Sequence, residues 1–181
     1  LPAQIDLSAV DGDEYRFLIA EQLKEHIAYL NTEIKKLKAL IEQHLDDHRD
    51  LRHRKALLQS IPGIGEATSS VILSEFADVQ QFNNAKALAA FIGVAPRTEQ
   101  SGTSLRGRAG MSKMGRSKLR KAFYMPALVV LRHNPIMIEM KQRLTKAGKS
   151  KMAIVGAAMR KLIHLIYGVL KDGVPFDENF A

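Results

Sequence analysis

Residues 57–76 read LLQSIPGIGEATSSVILSEF, and their pattern indicates two helices joined by a short turn. A helical pattern of apolar residues stops at the sequence Pro-Gly-Ile-Gly of residues 62–65 and resumes within a few residues. Glycines at 63 and 65 allow the positive φ angles that tight turns often need. The stretch therefore predicts a helix, a tight hairpin and a second helix.

The same hairpin suggests a binding role. It leaves backbone N–H groups uncovered at the start of the second helix, where the helix dipole favours an anion such as phosphate. The stretch resembles the helix-hairpin-helix DNA-binding motif, which holds the nucleic-acid backbone without reading bases. We therefore expect Gly63, Ile64 and Gly65 to contact DNA, although any sharp turn between helices could use the same residues.

Residues 16–60, which precede the hairpin, have a helical pattern almost without interruption and contain no proline and no glycine. Aliphatic residues recur there in alternating steps of four and three, which is the seam of a coiled coil: Leu23, Ile27, Leu30, Ile34, Leu37 and Ile41. Such a narrow seam predicts pairing with another helix, either in a second chain or folded back from this one.

Two histidines interrupt this seam. His44 and His48 occupy its next two positions before Leu51 resumes the pattern. Histidines spaced i and i+4 can bind a metal ion from one helix face, but no third ligand stands nearby. A polar interruption that weakens or registers the coil is the favoured interpretation.

The C-terminal half also reads as helical. Residues 83–94 predict a short helix stopped by Gly93 and Pro96, and residues from Ser117 onward predict a helix with a kink at Pro126. Pro135 opens another helix to about residue 146, and a final helix runs from about 151 to 171. No strand pattern and no repeat is evident, so we expect an all-α fold.

The positive charge is concentrated between these helices, in residues 97–121, RTEQSGTSLRGRAGMSKMGRSKLRK. This stretch has eight basic residues and one acidic residue, whereas the rest of the chain has 19 basic and 18 acidic residues. A concentrated positive charge suggests a polyanionic partner, nucleic acid first of all, because each neutralised phosphate releases counterions. A solvated basic loop without a partner is the alternative.

The composition narrows the class of protein. The chain has no cysteine, which excludes disulfides and thiolate metal sites and favours a reducing cytosol. No apolar run approaches about 18 residues, and the first residues are too acidic for a signal peptide, so we expect a protein that is not exported. The chain begins with Leu1, which suggests a piece of a longer protein.

Local sequence points weakly to catalysis. Residues 110–117 approach a phosphate-binding loop, but arginine replaces the required lysine and no buried strand precedes them. Four carboxylates are too scattered to form a two-metal site: Glu75, Asp78, Glu99 and Glu139. Ser101 stands in a flexible stretch among arginines that could support attack on a phosphodiester, but a Ser-Gly pair is more often simply a loop.

Three runs together resemble the C-terminal domain of transposases of insertion-sequence family 110. They are IPGIG, FNNAKALAAFIGVAPRTEQSG and GRAGMSKMGRSKLRKAFYMPALVVLRHNP, and the resemblance continues through KAGKSKMAIVGAAMRKLIHLIYGVLKDG, covering residues 57–173. This family, which includes a pilin gene-inverting protein, is described as joining an N-terminal RuvC-like nuclease domain to the C-terminal domain through a coiled coil. The resemblance therefore implies a coiled-coil segment at 1–56 and a DNA-binding domain at 57–181, with its helix-hairpin-helix at 57–76 and a basic loop at 97–116.

The resemblance also implies functional residues and partners. The family's C-terminal domain carries a serine implicated in strand cleavage, which aligns with Ser101, with Ser104 and Ser112 as alternatives. The expected DNA contacts, beyond the hairpin, are basic side chains of this stretch: Arg97, Arg106, Arg108, Lys113, Arg116, Lys118 and Arg120. The magnesium-binding carboxylates of the RuvC-like domain have no counterpart here, so no cofactor is expected within this chain.

The function expected from the resemblance is that of a site-specific transposase part that cuts and rejoins DNA. The implied partners are DNA, a guide noncoding RNA and further copies of the chain, in a prokaryotic cytoplasm at the nucleoid. Two alternatives remain at this stage. One is a nucleic-acid-binding module without catalysis, and the other is an interaction protein that acts through its coiled coil.

Overall fold

The computed structural model describes residues 12–76, 78–97, 100–101, 105–106, 110–112 and 114–177. It is an all-α fold, as predicted. The helices, in chain order, are α1 (Gly12–Asp47), α2 (Arg49–Gln59), α3 (Glu66–Phe76), a 3₁₀ turn (Val79–Gln81), α4 (Ala85–Ile92), α5 (Ser117–Ala122), α6 (Tyr124–His133), α7 (Pro135–Lys146) and α8 (Lys151–Asp172). Four strands of two residues each lie between α4 and α5: β1 (Pro96–Arg97), β2 (Gln100–Ser101), β3 (Leu105–Arg106) and β4 (Gly110–Met111).

The chain forms two compact units, residues 1–44 and residues 45–181. The described residues of the first unit all belong to α1. The division expected from the sequence, between residues 56 and 57, falls inside α2, whose Leu57 and Leu58 are buried in the core of the second unit.

The apolar seam of α1 is exposed in the single chain. Its six aliphatic side chains are each between 45% and 58% exposed: Leu23, Ile27, Leu30, Ile34, Leu37 and Ile41. Phe17 and Leu40 add further exposed apolar surface to the same helix. The seam therefore has no partner within the described part of the chain.

The helix that we expected before the hairpin, almost without interruption, is divided in two at His48. α1 ends at Asp47, His48 has extended backbone (φ −104°, ψ 108°), and α2 begins at Arg49. Lys55 of α2 is largely buried, with its Nζ 3.5 Å from Asp46 Oδ1, across the break. Leu51, which the heptad pattern assigned to the seam, packs instead against the core of the second unit. The break lies where the two histidines interrupt the heptad seam, and the apolar side chains of α2 beyond it are buried in this core.

The core of the second unit is built around α8. This helix packs against α2, α4, α6 and α7, and its buried residues include Leu162, Ile163 and Ile166. The Tyr167 hydroxyl donates a hydrogen bond to the Phe82 carbonyl at 3.0 Å.

Two helix ends in this unit match the prediction, at Gly93 and at Pro135, whereas the kink expected at Pro126 is instead an interruption at Phe123. Asn84 caps α4 by accepting from Ala87 N, and Gly93 ends it with φ 85°. The helix that begins at Ser117 is interrupted at Phe123, and Pro126 lies in the first turn of the helix that follows. Pro135 opens α7 as expected.

By length and composition alone, α8 is apolar enough to cross a membrane, with mean hydropathy 1.5 in an 18-residue window. This differs from the expectation that no run of the chain would approach that length. Half of the window is buried inside the second unit, where α8 is the central core helix. A buried core helix is rich in apolar residues, and it therefore meets the same criterion of length and hydropathy as a membrane span.

Candidate nucleic-acid interface

The two hairpin glycines have different roles. Gly63 has φ +98°, and a Cβ at this position would lie 2.6 Å from Val130 Cγ1. Ile64 is buried in the core. Gly65 does not have positive φ, and a Cβ there would have no neighbour within 4 Å. Gly63 thus packs the hairpin onto α6, and Gly65 is the glycine that leaves open space beside the backbone.

Helix α3 begins directly after Gly65. Ser69 N donates to Gly65 O at 3.0 Å, which closes the first turn. The first N–H groups of a helix have no partner within it, so they remain available to an acceptor. The carboxylate of Glu66 already lies at this end, with its Oε1 3.8 Å from Lys55 Nζ.

The basic segment contains two short antiparallel pairs, where sequence analysis predicted only a loop. β1 pairs with β4, through Pro96 with Met111 and Arg97 with Gly110. β2 pairs with β3, through Gln100 with Arg106 and Ser101 with Leu105. We call the four strands β1 to β4 together the ribbon.

Three of the predicted site residues lie on the paired strands. Ser101 and Arg106 occupy neighbouring positions of the β2–β3 pair, and Arg97 belongs to the β1–β4 pair. Sequence reasoning identified these residues but not their pairing. Arg108, Lys113 and Ser104 lie outside the described residues.

Ser112 is held at the end of the ribbon. Its N–H donates to Ala95 O at 2.8 Å, and its hydroxyl accepts from Met114 N at 3.4 Å. The side chain is half-buried. Both the backbone N–H and the hydroxyl of Ser112, one of the two alternative serines, are therefore hydrogen-bonded within the domain.

The chain after the ribbon is anchored to the end of α4. Arg116 N donates to Phe91 O at 3.1 Å, and its Nη1 lies 2.7 Å from Glu75 Oε2. The same guanidinium stacks over the Phe91 ring, 4.9 Å from its centroid. Arg116, which directly precedes α5, therefore contacts both α3 and α4, while its side chain remains 58% exposed.

The two remaining predicted contacts on α5 differ in exposure. Lys118 is exposed. Arg120 is half-buried, and a Cβ at Gly93 would lie 2.7 Å from its Nη1. The guanidinium of Arg120 therefore lies beside the C-terminus of α4, where the helix dipole favours positive charge.

A groove of about 700 Å³ lies at the base of the ribbon, and sequence reasoning did not predict it. Its walls come from β1 and β4, from the α5–α6 junction and from α8. Three cations line it, Arg120, Lys121 and Arg160, together with Tyr124 and several apolar residues.

A second group of cations surrounds His164 on α8. Burial lowers the pKa of His164 below its ordinary value, and the positive charges of Arg160, Lys161 and Lys86 lower it further. The Nε2 atom is buried and has no hydrogen-bond partner among the described residues. Lys86 is far from the α8 residues in the sequence, so only the fold reveals this gathering of charge.

Comparisons with known proteins bear directly on this interface. Residues 55–142, which include the hairpin, the ribbon and α5, match the family model described as Transposase IS116/IS110/IS902 family. The chain carries a transposase domain of this family. The resemblance inferred from sequence motifs is thereby confirmed.

Individual relatives agree with this assignment. The chain is 36% identical over 156 residues to a pilin gene-inverting protein of Moraxella bovis, covering 86% of the chain and 48% of that protein. It is 26% identical over 162 residues to an insertion element IS110 uncharacterized 43.6 kDa protein of Streptomyces coelicolor, covering 90% and 39%. Over 76 residues it is 38% identical to the transposase for insertion sequence element IS1111A of Coxiella burnetii, covering 42% and 21%. The chain spans about half the length of the pilin gene-inverting protein, and less of the other two.

Proposed function

We propose that this chain is the DNA-binding, serine-bearing part of a site-specific transposase that cuts and rejoins DNA strands. The observation that carries the proposal is that Ser101 lies on β2, which pairs with the arginine-bearing strand β3 in a transposase domain. The name of the Moraxella relative, a gene-inverting protein, supports rejoining as well as cutting.

The chemistry assigned to Ser101 is nucleophilic substitution at a phosphodiester. The serine oxygen forms a bond to phosphorus, and the bond from phosphorus to one deoxyribose oxygen breaks. The serine proton ends on that released sugar hydroxyl, so the number of phosphoester bonds is unchanged. The covalent intermediate keeps the bond energy for rejoining, and arginine side chains would stabilise the charge that develops on the phosphate.

The hairpin provides the second proposed DNA contact. The open Gly65 and the uncovered N–H groups of α3 support binding of a backbone phosphate, as in a helix-hairpin-helix. Exposed Lys118 and Arg116 lie on the following segment of the same transposase domain and would add electrostatic affinity.

Magnesium belongs, in this proposal, to a RuvC-like domain outside the chain. The described residues bring together no group of three His, Asp or Glu side chains, so they do not fit a magnesium site. The steps above rely only on this chain's hydroxyl and basic groups.

The proposed partners extend to other macromolecules. The exposed seam of α1 supports a homodimer or higher oligomer through a coiled coil. The basic ribbon also suits a guide noncoding RNA, because phosphate contacts do not distinguish RNA from DNA. We propose that the protein acts in a prokaryotic cytoplasm, at the nucleoid.

The test uses the full-length protein and its DNA substrate. Ser101→Ala should abolish strand cleavage and the covalent protein–DNA adduct, with DNA affinity nearly unchanged, since one hydroxyl adds little to a contact dominated by charge. Ser74→Ala is the matched control, because that hydroxyl bonds to Val71 O within α3. Cleavage at the normal rate by Ser101→Ala would contradict the assignment and direct the test to Ser104 and Ser112.

A non-catalytic nucleic-acid-binding module is the alternative function. It predicts that the full-length protein binds DNA but forms no serine-dependent adduct under any condition. Arg106→Ala gives a second comparison of the two candidate functions. The transposase proposal expects this variant to lose both DNA affinity and strand cleavage, and its DNA affinity should depend less steeply on salt concentration.

A further inference from the structure

The groove at the base of the ribbon combines an apolar wall with cations. Pro96, Gly110 and Met111 form its ribbon side, and Met152 and Gly156 belong to its α8 side. The exposed ring of Tyr124 is the aromatic group among its lining residues. A volume of about 700 Å³ lies within the range of small-molecule sites.

Among the described residues, the charge that lines this groove has one sign. These residues include Arg120, Lys121 and Arg160, with no aspartate or glutamate among them. The occupant that complements these features has an apolar, flat part and a negatively charged backbone.

We propose that this groove binds an unpaired nucleobase of a nucleic-acid strand, with Tyr124 stacking on the base and Lys121 and Arg160 contacting adjacent phosphates. Base stacking on an aromatic ring tolerates any base, and basic side chains follow the backbone. The inference rests on the proposed function, because β1 and β4 of the ribbon that carries Ser101 form one wall of the groove. A base held there would fix a locally unpaired strand close to the ribbon.

The glycine at position 156 offers a way to close the groove without changing its charge. A Cβ there would lie 3.1 Å from Met111 Cε, the far end of a flexible side chain, so a larger residue can be accommodated by a shift of that methionine. Gly156→Leu should therefore fold and fill part of the groove. Tyr124→Leu removes the ring, and Tyr124→Phe keeps it.

The experiment measures binding of this chain to oligothymidylate and to an abasic backbone of the same length. The wild type should bind oligothymidylate at least about fivefold more tightly than the abasic strand, the lower end for one stacked base. This ratio should fall towards one in Tyr124→Leu and in Gly156→Leu and persist in Tyr124→Phe. Tyr29→Leu, on the exposed surface of α1, is the matched control and should leave the ratio unchanged. An oligouridylate arm distinguishes a DNA strand from an RNA strand as the source of the base.

The outcomes separate this inference from the proposed function. An unchanged ratio in folded Tyr124→Leu and Gly156→Leu proteins overturns the base site, even where duplex DNA still binds. Failure of the wild type to bind duplex DNA overturns the proposed function instead. If the two variants lose binding to anionic phospholipid vesicles while the ratio remains, the groove serves a lipid surface and the proposal is wrong.

Discussion

Gly115 lies directly on the backbone of Gly93. A Cβ at Gly115 would come within 2.5 Å of Gly93 N and of Phe91 O, and 2.8 Å from Gly93 Cα. The segment leaving the ribbon thus packs on the C-terminal end of α4 without an intervening side chain. Because backbone atoms, not flexible side chains, form this contact, it fixes where the ribbon returns to the domain.

Gly115→Ala should destabilise the second unit. The added methyl group meets backbone atoms that cannot move aside, and overpacking of this kind costs about 1–3 kcal/mol. Thermal unfolding should shift downward by about 2–4 °C for each kcal/mol. Gly110→Ala is the control, because a Cβ there has no neighbour within 4 Å. Equal melting temperatures for the two variants would show that the close approach carries no energetic weight.

Substitutions of the two hairpin glycines should affect different properties: folding stability at Gly63 and DNA affinity at Gly65. Gly63→Ala places a side chain at φ +98° and against Val130, so we expect a loss of stability of about 2 kcal/mol or more, measured by urea unfolding. Gly65→Val meets open space and should fold, but its branched side chain should obstruct a phosphate at the start of α3. DNA affinity should then fall similarly for unrelated sequences. Unchanged DNA affinity in folded Gly65→Val would count against a helix-hairpin-helix contact.

The sequence was sufficient to predict features that depend on local chemistry. Gly93 and Pro135 mark helix ends because φ restrictions act within one turn. The histidines that interrupt the seam mark the position of the break at His48, but they do not by themselves predict it. The burial of Lys55 and of the apolar face of α2 beyond the break is a tertiary effect.

The site was only partly predictable for the same reason. Charge clustering and the family resemblance identified Ser101 and Arg106, but two-residue strands are too short to show an alternating pattern. The groove escaped detection because Tyr124 and Arg160 come from separate helices. The cluster of cations around His164 could not be predicted from the sequence either, because the net charge outside the basic stretch is almost zero.

Stability should fall in mild acid because of His164. Burial, and then the charges of Arg160, Lys161 and Lys86, lower its pKa in the folded state. The unfolded chain therefore binds more protons below the ordinary pKa of 6.5, so this contribution is complete above that pH and is lost as the pH falls below it. Urea unfolding from pH 7.5 to pH 5 should show a shallower loss in His164→Gln than in the wild type. His26→Gln, exposed on α1, is the control, and parallel curves for wild type and His164→Gln would contradict the assignment.

The exposed seam of α1 should drive self-association. Six aliphatic side chains on one helix face would otherwise remain in water, and heptad spacing suits a partner helix of a second copy. Lysines in place of Leu30 and Ile34 should therefore give a monomer by light scattering, because two charges would lie in the helix interface. Thr32→Lys with Ala39→Lys adds the same charge on the opposite face and should remain associated. A wild-type chain that is monomeric at micromolar concentration would show that a second copy does not cover the seam.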